Sequence, residues 1–156
     1  MIILAVDPGL EKLGYAFFEI KKNPKKYHYL TSGVIMSAKK EKKERRLFFL
    51  YSSLKKLIEK FSPEVLIVEE LFFFKNKKTI IPVSQAQGVI LLLAAEMNIK
   101  VQYLSPLIIK QAITGYGRAD KKSLAKMINL TENIPQKKED DEMDAIACAL
   151  AYYYLC

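Results

Sequence analysis

A single short stretch constrains the fold more than any other. Met1-Ile2-Ile3-Leu4-Ala5-Val6 runs apolar without a break into Asp7-Pro8-Gly9. A wholly apolar run of this length, bounded by a turn signal, is the pattern of a strand buried on both faces. Proline has no amide to continue a ladder, and glycine tolerates the positive φ of a tight turn. Asp7 is therefore placed at the carboxyl end of a central strand, the edge at which open α/β sheets bind their ligands. An isolated charge there is costly, so the remaining chain must be read for what pairs with it.

After the turn, Gly14 to Ile20 reads as a strand, Lys21 to Lys26 with Asn23-Pro24 as a polar hairpin turn, and Tyr27 to Met36 as a third strand interrupted by Thr31-Ser32-Gly33. Short connections make these three an antiparallel meander. Leu47, Leu50, Leu54, Leu57, Ile58 and Phe61 then recur at helical spacing, predicting an amphipathic helix over residues 41 to 61 that Ser62-Pro63 ends. Val65 to Val68 is a second buried run, ending in Glu69-Glu70.

Pro82 to Met97 reads as a helix apolar almost all round, Ile99 to Leu104 as a fifth strand, and Ser105-Pro106 as the cap and first position of a helix to Thr114. Gly115 to Ala119 is a basic loop, Asp120 caps a helix to Leu130, and a last helix runs from Asp140 to Tyr154. A meander followed by βαβαβ predicts one α/β domain over residues 1–156. Its five-stranded mixed sheet has three antiparallel and two parallel strands, with helices on both faces.

The net charge of +8, from 25 Lys and Arg against 17 Asp and Glu, favours a polyanionic partner such as nucleic acid. No apolar run reaches the roughly 20 residues of a membrane-spanning helix, and the N-terminal run lacks the charged flank of a signal peptide. Cys148 and Cys156 have neither a zinc spacing nor a disulfide framework, which fits a cytoplasmic chain. His28 is the one histidine and lies in a polar stretch, which leaves no nucleophile set to assemble around it. Lys39 to Arg46 reads as a solvated helix start, with a DNA contact as the other reading.

Three acidic groups remain. Glu69 and Glu70 end a strand expected to lie parallel to the first, so they share the sheet edge with Asp7. Glu139-Asp140-Asp141-Glu142-Met143-Asp144 opens the last helix. First-turn acids are favoured by the helix dipole and free amides, which accounts for Asp140 and Glu142. Asp144 stands beside Ala145, Ile146 and Ala147 and belongs on the inward face, with Asp141 three residues before it. Asp7 taken alone could equally close an Asx-turn. Carboxylates converging without histidine or thiolate call for a hard cation such as Mg²⁺. Two such ions can activate a water and stabilise a leaving oxygen in phosphodiester hydrolysis.

These residues carry a resemblance. The chain resembles the RuvC family of bacterial Holliday-junction resolvases, within the ribonuclease H-like superfamily, from Ile2 to about Tyr153. The motifs are Asp7-Pro8-Gly9 with Gly14-Tyr15; Val68-Glu69-Glu70-Leu71-Phe72 with Lys75-Asn76; Gln85-Ala86-Gln87-Gly88-Val89; Lys110-Gln111 with Gly115 to Lys121; and Asp141 to Ala147.

The resemblance implies a ribonuclease H-like fold and a crossover junction endodeoxyribonuclease acting in recombination and repair. It implies Asp7, Glu69, Asp141 and Asp144 as catalytic, metal-binding carboxylates, with two Mg²⁺ ions per site and Mn²⁺ as a substitute. It selects Glu69 over Glu70, whose place alternation puts on the opposite face. It implies Phe72 as a ring against junction bases, and Lys110 and Lys121 as contacts to the scissile phosphate. The implied partners are a four-way DNA junction, a second copy bound through the helix around Gln85 to Met97, and a branch-migration complex. Relatives favour thymine-containing cleavage sites.

Three other readings fit less well. A ribonuclease H-like enzyme cutting RNA or an RNA–DNA hybrid would use the same pocket. A binding module without catalysis would be expected to have lost a carboxylate. A sugar-kinase or actin-like half also starts with such a strand and turn but needs two such domains.

Overall fold

A computed structural model describes residues 1–70, 80–131, 134–135 and 139–156. The elements follow in the order β1 (Ile2–Asp7), β2 (Lys12–Lys21), β3 (Lys26–Met36), α1 (Lys43–Phe61), β4 (Val65–Glu69), α2 (Ile80–Glu96), β5 (Lys100–Leu104), α3 (Pro106–Thr114), α4 (Lys121–Asn129) and α5 (Asp140–Leu155). The strands form one sheet in the order β3-β2-β1-β4-β5. β1–β2 and β2–β3 are antiparallel, and β1–β4 and β4–β5 are parallel. This is the expected meander plus two parallel strands.

Alternation along the two central strands divides the interior. Ile3, Ala5 and Ile67 face one way, onto α3, α4 and α5. Leu4, Val6, Leu66 and Val68 face the other, onto α1 and α2. Both faces are covered, which is why β1 and β4 read as unbroken apolar runs. α5 is the innermost helix: Ala145 to Ala151 are at most 1 % exposed. Four alanines in that stretch let its axis lie close to the sheet.

Local chemistry explains the element ends. Ser105 caps α3 by accepting from the Ile108 amide at 3.3 Å, with Pro106 at the first helical position. Asp120 caps α4, accepting from the Ser123 amide at 2.7 Å. α1 closes on Ser62 in the left-handed region, φ 47°.

Several boundaries differ from expectation. β2 starts at Lys12, because pairing with β3 extends through Lys12↔Met36. β3 is not broken at Thr31-Ser32-Gly33. Its irregularity is one step earlier, where Phe17 pairs Thr31 and Phe18 pairs Tyr29, leaving Leu30 as the extra residue. At Gly33 a Cβ would stand 2.7 Å from the Tyr15 hydroxyl, so that glycine makes space for a ring and does not interrupt the strand.

Candidate active site

The last pair of the β1–β4 ladder is Val6↔Val68. Asp7 and Glu69 are the next residues, each the last of its strand. Asp7 continues the face of Ile3 and Ala5, and Glu69 that of Val65 and Ile67. Both therefore point to the side on which α5 packs. α5 presents Asp141 in its first turn and Asp144 one turn later, both partly buried.

The electrostatics show that these groups face one another. Burial, then the charges of Asp144, Glu69 and Asp141, push the Asp7 carboxyl up from 3.8 to about 8, with Lys121 acting in opposition. Burial also raises Asp144, against the hydrogen bond and charge of Lys121. Cys148, one turn beyond Asp144 on α5, has its thiol pushed well up by burial and then by Glu69, Asp7 and Asp144.

Lys121, at the start of α4, supplies the local counter-charge. Its Nζ lies 3.1 Å from Asp144 Oδ2 and 3.4 Å from Asp140 Oδ2. A cleft of about 260 Å³ is lined by Glu69, Asp144, Lys110 and Lys121 among others. The structure thus brings both expected lysines to the carboxylates. A second cleft, of about 440 Å³, includes Asp141 in a wall shared with the turn after β1 and the first turn of α1.

The first turn of α5 is held in two ways. It lies against β2 at Gly14, the residue paired with Asp7 in the ladder. Glu142 is 8 % exposed and accepts a 2.5 Å hydrogen bond from Ser32 Oγ on β3, and the Ser32 hydroxyl also bonds Tyr29 at 2.8 Å. Glu142 is thus a first-turn acid, as expected, and also a buried cross-link from helix to sheet. Its spacing from Ala145 and Ala149 on one helical face was the available signal. Glu139, the N-cap residue, makes no cap bond and pairs instead with Lys12 at 2.7 Å.

Glu70 lies one residue beyond β4 and is exposed, while its amide donates to the Leu104 carbonyl at 2.9 Å. Phe72 falls outside the described residues. α2 exposes Ile81 and Leu92, at 62 % and 66 %.

The donor set fits a hard divalent cation. Every candidate ligand is a carboxylate, and Asp7 is driven toward its protonated form first by burial and then by the charges of Asp144, Glu69 and Asp141, an imbalance that a bound cation would offset. Among the described residues, no three acidic, histidine or cysteine side chains are drawn together at metal-binding distance. Chemistry, not a closed cage, is what supports the fit.

Known proteins share this chain's sequence and fold. The family model for crossover junction endodeoxyribonuclease RuvC matches residues 3–152. The RuvC protein of Halothermothrix orenii is 40 % identical over 153 residues, covering 97 % of this chain and 92 % of that protein. That of Brachyspira hyodysenteriae is 44 % identical over 154 residues, covering 97 % and 93 %. Among solved structures, Thermus thermophilus RuvC superposes with a TM-score of 0.88 at 27 % identity, covering 99 % of this chain and 94 % of that one. The same protein in complex with a Holliday junction substrate gives 0.89. With a match spanning nearly its whole length, the chain belongs to the RuvC family of crossover junction endodeoxyribonucleases.

Proposed function

We propose that this chain is a structure-selective DNA endonuclease. It resolves four-way junctions by paired symmetric nicks, leaving 5′-phosphate and 3′-hydroxyl ends, in cytoplasmic recombination and repair. The observation that carries this is the meeting of two strand-end carboxylates with two from the first turns of α5, beside two lysines, in a chain of net charge +8. The Thermus thermophilus relative, solved with a Holliday junction, supports the choice of substrate.

Asp7, Glu69, Asp141 and Asp144 would hold the metal, two Mg²⁺ per site, with Mn²⁺ as a substitute. Bound there, the ions supply a water of lowered pKa and charge stabilisation at the leaving oxygen. The chain's own groups do the rest. To ligate a cation Asp7 would have to be ionised, so metal binding there would release its proton. Lys110 and Lys121 line the cleft on the Glu69 and Asp144 side, where they neutralise the scissile phosphate and the charge that builds on it. Phe72 stacks on unpaired bases at the junction centre. A second copy docks on the apolar face of α2, giving two pockets for two strands of like polarity. A branch-migration complex works on the same junction.

The test is incubation with a synthetic four-way junction and Mg²⁺, with nicks mapped on all strands, beside Asp7→Asn. Symmetric nicks by the native chain, lost in the variant, support the reading. Absence of metal-dependent nicking, or full activity of Asp7→Asn, removes it. Preferential cutting of an RNA–DNA hybrid assigns the pocket to ribonuclease H-type chemistry instead.

A further inference from the structure

One cation in the second cleft has no role in the reading above. Arg46 lies in the first turns of α1, far in sequence from the carboxylates. Its Nε donates to Ser37 Oγ at 2.9 Å. Ser37 is 6 % exposed, and its hydroxyl donates to the Leu10 carbonyl at 2.5 Å. Its amide donates to the Glu11 carbonyl at 2.9 Å. Ser37 is thus fastened twice to the turn that follows Asp7. A serine hydroxyl has one proton, and this one is committed to Leu10, so Ser37 can only accept from Arg46. The guanidinium is held by its side, and among the described residues nothing accepts from its two terminal nitrogens, whose four N–H donors can serve another acceptor.

Two acids near it are already paired. Glu11, whose carboxyl is held low first by its bond to Lys39 and in smaller part by Arg46, pairs with Lys39 at 2.8 Å. Lys12, in the same cleft, pairs with Glu139 at 2.7 Å. Among the described residues no ion pair within 4.0 Å involves Arg46. The cleft of about 440 Å³ that Arg46 lines also reaches Asp141, with Gly9, Lys12, Pro82 and Val83 between them on its wall. The carboxylates therefore line two clefts that also carry basic side chains: Lys110 and Lys121 with Glu69 and Asp144 in one, and Lys12 and Arg46 with Asp141 in the other.

We propose that Arg46 is a phosphate-binding residue, set in orientation by Ser37, that takes a backbone phosphodiester of the cut DNA strand near the scissile phosphate. The inference rests on the endonuclease reading and extends it to the strand's path. Arginine suits the task because its planar fork meets two oxygens of one phosphate, which an ammonium cannot do. The competing role is a brace that only ties α1 to the turn.

The test uses the whole chain carrying Asp7→Asn, expected to bind without cutting, and measures junction affinity against salt. Arg46→Gln should lower the slope of log K on log salt by about 0.9 per protomer for the lost contact. Arg46→Lys should keep most of the slope with affinity reduced several-fold. A neutral methylphosphonate is then walked through the three phosphates on either side of the cleavage site. One position should weaken binding roughly 10-fold with Arg46 present and have no effect on Arg46→Gln. That scan on the Arg46 protein needs no folded variant, and a scan with no sensitive position away from the scissile phosphate overturns the proposal. So does an Arg46→Gln protein that melts earlier but keeps the salt slope and affinity. Failure of the Asp7→Asn parent to bind the junction removes the endonuclease reading itself, an outcome distinct from either.

Discussion

Gly14 lies so close to Asp141 that a Cβ on the glycine would stand 1.9 Å from the aspartate's carbonyl oxygen. Backbone touches backbone there, and β2 and α5 approach as near as two elements can. Because Gly14 also pairs with Asp7 across the ladder, the same contact sets the gap between the strand half and the helix half of the site.

Gly14→Ala should therefore act on geometry. The helix start must shift, since the nearest atoms are backbone and cannot rotate away. Nicking should fall on the order of 100-fold, because catalytic positioning is that sensitive to displacements of an ångström. Junction binding should persist, as phosphate contacts made elsewhere are untouched. Single-turnover nicking and gel-shift affinity, measured on the same preparation, check this split.

Asp7 predicts how stability varies with pH. Its carboxyl ordinarily titrates near 3.8 and in the folded chain near 8. Between those values the folded state keeps a proton that the unfolded state releases, so metal-free stability falls as pH rises through the window. The loss is on the order of a few kcal/mol at its upper end. Asp7→Asn should flatten the profile and melt higher than the native chain at pH 8 without metal. Thermal melts from pH 5 to 8.5, with and without Mg²⁺, measure it; Mg²⁺ should restore the native protein and do little for the variant.

Lys121 offsets the burial of Asp144 through a 3.1 Å contact. Lys121→Ala removes the hydrogen bond and the charge together, so Asp144 holds its proton to higher pH. The acid limb of the nicking profile should move upward, and the rate at its optimum should drop roughly 100-fold. Lys121→Arg should recover the position of the limb better than the rate.

α2 has no charged residue from Ile80 to Ala95 and leaves Leu92 66 % exposed. Leu92→Glu should convert a dimer to a monomer in sedimentation analysis. Product analysis should then show singly nicked junctions in place of resolved duplexes, because each pocket is intact but the second is no longer delivered.

What could be read from the residues alone divides along physical lines. β1 and β4 were legible because burial on both faces writes itself as an unbroken apolar run. Their acidic ends were legible because a charge closing such a run stands out. Asp144 was legible from helical spacing against Ala145 to Ala147. Glu142 was legible as a first-turn acid but not as a helix-to-sheet cross-link, since both have the same local pattern; the partner that reveals the second role, Ser32, is 110 residues away. Arg46 was legible only as the end of the Lys39 to Arg46 run, read as a solvated helix start or a DNA contact, and nothing singled it out within that run. Its orientation depends on Ser37 and, through it, on Leu10, 27 residues from that serine, and no periodicity links such positions. The role given to Phe72 lies outside the described residues.

The two halves of the site are gauged by different things. Asp7 and Glu69 emerge one step past Val6↔Val68, so their separation follows the spacing of hydrogen-bonded strands, about 4.8 Å. No side-chain repacking rescales that distance. Asp141 and Asp144 ride on a helix seated by one glycine and one buried glutamate. The aperture of the site thus has one wall of constant gauge and one that can be reset by a few residues, and any retuning of what the site accepts falls to α5.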